Sequence, residues 1–375
     1  MTTTSMPGPM PAFLNENPKD RVRLLGVRLP LLERVLLWIM VVALCAAPLF
    51  ADGYTVYEFG KVLMYALAVL GLNLLTGFNG QFSLGHSAFF AVGAYSTAIM
   101  MEMLGMPYWT TIVPAAAICF LSGFLFGLPA LRLEGLFLAL ATFALAIATP
   151  QLLKFEGFDI GDGEHILSIA AITGGVQGKG LDTPYPPEWL NSIWLAATGD
   201  DLSVDRWKYM FTLIVVAIMF WGAWNLVHSR TGRALIAIRD NPLSAKTMGI
   251  NTAIFKSAAF GVSAMYTGVA GSLFAIMDEY LAPESFTFAE AIKFLVGGVV
   301  GGIASLFGAL FGGWFVLEIP NLADLMASSL ADFINNPQGL TGLIYGLFLI
   351  FTVYVMPMGA AGLVQILVRK VADKG

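Results

Sequence analysis

A cluster of polar side chains interrupts the apolar sequence over residues 71–98: Asn73, Thr76, Asn79, Gln81, Ser83, His86 and Ser87, with glycines at 77, 80 and 85. Polar groups between apolar runs are costly unless they face a cavity, a bundle interior or one another. The cluster can therefore line a translocation path, or form a short turn with helix–helix hydrogen bonds. A second cluster, residues 229–251, is basic, with Arg230, Arg233, Arg239 and Lys246 against the single acid Asp240. Leu235, Ile236 and Ile238, with Leu243 beyond, describe a short amphipathic helix. Asp240-Asn241-Pro242 reads as a helix stop followed by a new N-cap. Such an element suits an anionic lipid surface or the docking of a cytoplasmic subunit.

Other chemistries lack their residues. His86, His165 and His228 are far apart, and no metal-ligand spacing links them. No nucleophile elbow or paired-carboxylate arrangement stands out, which points away from an enzyme. The glycine-rich ITGGVQGKG fails as a phosphate loop, because Gly178-Lys179 is followed by Gly180 and position 173 is Thr. No cofactor or nucleotide site is visible, so any ATP use must reside in another subunit. Cys45 and Cys119 lie in apolar runs without CxxC spacing and read as packing residues.

The elements that must position these clusters are membrane helices. Of 375 residues, 57% are hydrophobic and 12% charged, whereas soluble domains carry about 25% charged residues. Ten continuous apolar segments fall at 35–50, 61–76, 84–104, 109–130, 136–153, 209–227, 254–277, 291–303, 306–319 and 340–356. Continuous rather than alternating runs favour helices over a β-barrel, since lipid offers no partner to a bare peptide group. The expected fold is all-α and polytopic, with about ten transmembrane or re-entrant helices. The 40 glycines suit close helix packing, with Gly-x-x-x-Gly spacings at 123/127, 297/301, 298/302, 308/312 and 342/346.

Lys19, Arg21, Arg23, Arg28 and Arg34 precede the first segment and place the N-terminus in the cytoplasm. The connection 154–208 is acidic (Glu156, Asp159, Asp162, Glu164, Asp200, Asp201, Asp205) and is expected outside, with Trp189, Trp194 and Trp207 at the interface or docking a partner. A hairpin turning near residues 304–305 keeps Arg369, Lys370 and Lys374 cytoplasmic. The expected organisation is a disordered tail at 1–30 without the short apolar core of a signal peptide. A transmembrane domain follows at 31–357, with its external loop at 154–208 and cytoplasmic loop at 228–253, then a cytoplasmic tail at 358–375.

The segments N-L-L-T-G-x-N-G-Q-x-S-L-G-H-x-A-F-F-x-x-G-A-Y at 73–95 and S-R-x-G-R-A-L-x-A-I-R-D-N at 229–241 resemble the M-type permease subunits of ATP-binding-cassette importers for branched-chain amino acids. MGIN at 248–251, G-x-A-G-S-L-F-A at 268–275 and the glycine-rich run at 296–313 fit the resemblance, which covers about 61–356. It implies a multi-pass protein of the bacterial inner membrane. Its implied partners are a second permease, two cytoplasmic ATP-binding subunits and a periplasmic substrate-binding protein. It also implies that Asn73, Asn79, Gln81, Ser83 and His86 shape the path, and that Arg233, Arg239, Asp240, Asn241 and Gly249 meet the ATPase. Leu243 stands where the coupling pattern of many importers has Glu. Urea or short-amide uptake is the alternative within the family. An ion-coupled secondary transporter is disfavoured, because Glu102, Lys154 and Glu318 sit at expected span ends and the interiors hold almost no ionisable groups.

Overall fold

The computed structural model describes residues 51–356 except 132, 134, 160–164, 167, 199 and 332–339, together with Leu44, Pro48, Gly359, Ala360 and Gly362. The chain divides into two units, Met1–Ala46 with Leu367–Gly375 and Ala47–Ile366; the second carries every element named here. In chain order these are α1 (Gly53–Asn79), α2 (His86–Leu104), α3 (Tyr108–Ala130), α4 (Leu136–Leu153), β1 (Phe158–Asp159), β2 (His165–Ile166), α5 (Ala170–Thr173), β3 (Lys179–Gly180), α6 (Glu188–Thr198) and α7 (Val204–His228). Then come α8 (Arg230–Asp240), α9 (Pro242–Thr247), α10 (Thr252–Asp278), β4 (Tyr280–Leu281), α11 (Phe288–Gly301), α12 (Gly308–Ala331) and α13 (Leu340–Val355). The expected first segment, 35–50, lies outside the described residues apart from Leu44 and Pro48.

Helices α1, α2, α3, α4, α7 and α10 are long and apolar enough to cross a membrane. Two of them, α1 and α10, are almost wholly buried over their most apolar stretches. They form the centre of the bundle, with α10 packed against α1, α2 and α3. By contrast α3, α4 and α7 turn large apolar side chains outward, among them Val113, Leu136 and Trp221, each at least 70% exposed. A surface of that kind is stable against hydrocarbon rather than water.

Backbones meet where the glycines fall. A Cβ added to Gly127 would lie 2.9 Å from Ser257 Cα, and one added to Gly123 would lie 2.9 Å from Phe260 O, so α3 rides directly on α10. Gly297 and Gly301 face Gly312 and Gly308 across the α11–α12 hairpin; a Cβ on Gly301 would stand 2.7 Å from the Gly308 carbonyl carbon. The same spacing at Gly342 and Gly346 meets nothing within 4 Å. Cys119 is a packing residue, buried against α10 at Gly268.

The expected hairpin forms, turning at 302–307, but its arms differ. α11 has 14 residues, about 21 Å at 1.5 Å per residue, while α12 runs to Ala331 and places Glu318 within a helix rather than at an end. α1 likewise begins at Gly53, earlier than its apolar run, because Tyr57 and Lys61 find a partner in Asp278 of α10: the Tyr57 hydroxyl donates to Asp278 Oδ1 at 2.5 Å and Lys61 lies 3.4 Å from the same atom. Those paired polar groups let the helix extend past the hydrocarbon-like stretch.

Three polar connections tie the acidic loop down at that end of the bundle. β3 pairs antiparallel with β4, Lys179 pairs with Glu102 of α2 at 2.5 Å, and Lys154 pairs with Glu284. The glycine-rich segment serves this tuck: Gly178, at φ 73°, lies so near β4 that a Cβ would come 2.6 Å from Leu281 O. Trp207 is buried and donates to the Tyr108 hydroxyl at 2.8 Å, so it is a packing group and not an interfacial one; Trp189 is exposed.

Candidate functional site: a polar seam between the central helices and the basic helix pair

The two polar clusters of the sequence meet in space. α1 ends at Gly80, whose left-handed backbone returns its N–H to Leu75 O. The chain then runs as an irregular segment, 80–85, before α2 begins at His86. Such backbone needs partners in a membrane interior. Thr142 of α4 supplies one, its Oγ1 accepting from Leu84 N at 2.9 Å.

His86 is the centre of the seam and is 1% exposed. Its Nε2 lies 2.6 Å from Ser263 Oγ on α10, and its Nδ1 lies 3.0 Å from Ser83 Oγ. Ser263 donates its own proton to Gly71 O of α1 at 2.6 Å, so it must accept from His86 Nε2–H. That assigns the neutral, Nε2-protonated tautomer from the network, with Nδ1 accepting from Ser83. One imidazole thus joins α1, α2 and α10, about 12 Å along α1 from its end at Asn79.

Asn73 fixes the hairpin. Its Nδ2 donates to Ser305 O at 3.2 Å and lies 3.5 Å from Gly302 O, both in the turn between α11 and α12. Gly77 passes so close to that turn that a Cβ would lie 2.7 Å from Ala304 Cα. Ala304 itself sits at φ 66°, a left-handed conformation costing an L-residue roughly 1–2 kcal/mol. The surrounding contacts hold it there.

Arg239 connects the basic helices to this seam. Its Nη1 donates to Gly77 O at 2.7 Å, in the last turn of α1, where the carbonyl ends of the helix favour a cation. Its Nε donates to Asp240 Oδ1 at 3.0 Å, and its Cγ packs where a Cβ on Gly80 would fall. Asn241 caps α9 as expected, accepting from Ser244 N, and the structure adds two further caps, Ser229 accepting from Gly232 N and Asn251 from Ile254 N. Leu235 and Ile238 are buried, but Leu243 is 74% exposed and does not continue that apolar face, because the break at Asn241 redirects α9. Arg233, Asn241, Met248 and Gly249 are exposed as well, Gly249 at φ 85°.

The structure therefore joins Ser83 and His86 in one buried network, ties Asn73 to the hairpin turn and sets Arg239, paired with Asp240, against the end of α1. Asn79 and Gln81 are buried there too, yet neither amide atom of Asn79 nor Oε1 of Gln81 has a partner among the described residues. Arg233 stands apart, donating to His228 O at 3.3 Å. Sequence reasoning missed Ser263 and Thr142, single hydroxyls inside apolar helices with no local signal. It also missed the buried Lys208, which pairs with Glu279 at 2.5 Å at the opposite end of the bundle, and Glu290 of α11.

The family model for the branched-chain amino acid transport system permease component matches residues 54–353. The chain belongs to that family. The permease is 29% identical over 275 residues to the high-affinity branched-chain amino acid transport system permease protein LivM of Escherichia coli strain K12, covering 69% of this chain and 61% of that one. It is 28% identical to the LivM of Salmonella typhimurium over the same shares. The match to the autoinducer 2 import system permease protein LsrC of Escherichia coli O9:H4 is 27% over 274 residues, covering 69% of this permease and 78% of LsrC. The matched part spans about three-fifths of the LivM chains, 61%. No solved structure matches this permease. The six long apolar helices among the described residues fit a multi-pass membrane protein of this permease family.

Proposed function

We propose that this chain is one of two permease subunits of an ATP-driven importer in a bacterial inner membrane, forming with a second permease the path for branched-chain or other hydrophobic amino acids. A periplasmic binding protein delivers the substrate, and ATP is hydrolysed by two separate cytoplasmic subunits. In this reading the end of the bundle bearing α8 and α9 is cytoplasmic, as are both termini, and the helices complete ten spans or re-entrant segments. The tails at 1–30 and 358–375 flank a transmembrane domain at 31–357.

The observation that carries the reading is the Arg239–Gly77 contact. It gives the exposed α8–α9 pair a direct hold on α1 and on the segment that bears the polar seam. The exposed Leu243 and Met248, on a helix pair that also carries the exposed Arg230, Arg233 and Lys246, offer apolar and basic groups to an ATPase. Arg233, Asp240, Asn241 and Gly249 meet the ATPase, and Arg239 passes the movement inward. Asn73, Asn79, Gln81, Ser83 and His86 shape the path by holding its walls. The Asn79 amide and Gln81 Oε1, without partners among the described residues, gain partners when the walls part. Similarity to LivM favours amino acids over urea or short amides.

Affinity purification through a tag on this chain tests the assembly: a second permease and an ATPase pair should co-purify. ATP-dependent uptake of labelled leucine but not urea by vesicles supplied with the binding protein tests the substrate. Recovery of the chain alone, transporting without ATP, would refute the reading in favour of a secondary transporter.

A further inference from the structure

An ion pair begins in the first turn of the apolar helix α11. Glu290 is 7% exposed, and its Oε2 accepts from Lys293 Nζ at 2.9 Å. Its Oε1 is buried with no hydrogen-bond partner among the described residues. The Lys293 side chain is 41% exposed, so ammonium donors beyond the one given to Glu290 stay free. A buried carboxylate with an empty acceptor is costly, and an ionisable group within an apolar segment is held there by function more often than by stability.

Its surroundings define what would fit. One turn along α11, Phe294 is fully buried, with its ring 6.1 Å from Tyr65 of α1 and 5.3 Å from Phe90 of α2. The Tyr65 hydroxyl is near enough to the Glu290 carboxyl group to interact with it. The site therefore offers one buried carboxylate oxygen without a hydrogen bond, an accessible ammonium and an aromatic wall within one helical turn of each other. It lies at the end of the bundle bearing the acidic loop, where the proposed importer receives substrate.

We propose that Glu290 and Lys293 bind the two charges of a zwitterionic amino acid in transit, the substrate ammonium on Glu290 Oε1 and its carboxylate on Lys293 Nζ, with the apolar side chain toward Phe294 and Tyr65. This inference rests on the amino-acid reading above and gives it a residue-level basis: urea and short amides carry no charges to match the pair. In the conformation described, Oε1 is sealed, so the ammonium reaches it when α11 moves off α1, as opening of the path at that end requires.

The test uses photo-leucine, a zwitterion whose side chain carries a diazirine, on vesicles holding the assembled importer with its binding protein. Label should map to residues 286–300 and 57–70 of this chain, and excess leucine should remove it. Glu290→Gln, which keeps shape and removes charge, should raise the half-saturating concentration for that label at least about ten-fold, as should Lys293→Met, with the amount of assembled complex monitored alongside. Label elsewhere in this chain, or label unaffected by either substitution in assembled complex, overturns the proposal. If one substitution prevents assembly, the other and the wild-type map decide. Wild-type vesicles that import no leucine at all would instead defeat the amino-acid reading itself.

Discussion

Replacing Gly312 with Ala should destabilise the permease, while the same change at Gly346 should not. Both residues sit inside apolar helices at Gly-x-x-x-Gly spacing, so helix propensity alone favours Ala at each by up to about 1 kcal/mol. A Cβ on Gly312 would stand 2.7 Å from the Gly297 carbonyl carbon and nearer still to its oxygen, against the 3.4 Å at which ordinary contact begins. The obstacle is backbone, which cannot swing aside as a flexible side chain can. α11 and α12 must therefore part by at least roughly 0.7 Å, surrendering dispersion contacts along the seam. Overpacking of this kind costs about 1–3 kcal/mol and outweighs the propensity gain. Gly346 meets nothing within 4 Å and keeps the gain. Thermal unfolding of the detergent-purified protein should separate the two variants by a few degrees. Equal midpoints would refute the argument that the hairpin is held backbone to backbone. A loss for Gly346→Ala only in the assembled complex would locate a partner helix on α13.

Ser263→Ala should leave His86 Nε2–H and Gly71 O short of a partner. It should cost about 1–3 kcal/mol if His86 stays orphaned, or about 0.6 if the membrane-embedded groups find substitutes; equilibrium unfolding of the variant distinguishes these. Arg239→Glu should place a carboxylate against the carbonyl end of α1 and sharply lower ATP-driven uptake while the protein still inserts; normal uptake counts against transmission through Gly77. At the acidic-loop end, the hydrogen bond from Lys154 holds the Glu284 carboxyl below the usual carboxylate range. Because that pKa is depressed on folding, the stabilisation is present above the ordinary carboxylate value and fades as pH falls through the lowered one. Hydrogen exchange around residues 283–286 should quicken in acid, and Glu284→Gln should abolish that dependence; an unchanged profile in the variant would contradict the assignment.

Composition and continuous apolar runs determined on their own that this is a helical membrane protein, because unsatisfied peptide groups cannot be left in lipid. Asp240-Asn241-Pro242 likewise announced the break between α8 and α9 and the cap at Asn241, since capping is a local interaction. The charge rule applied to the basic tail announced the hairpin, and the glycines at 297–312 agreed with it. What tertiary structure decided is which polar groups meet. Ser263 stands 177 residues from His86, and Arg239 stands 162 from Gly77, separations at which sequence carries no distance information. It also decided that Gly312 is indispensable and Gly346 is not, though their spacing patterns are the same. Contact between helices depends on rotation about each axis, and in a helix apolar all round no hydrophobic stripe records that rotation.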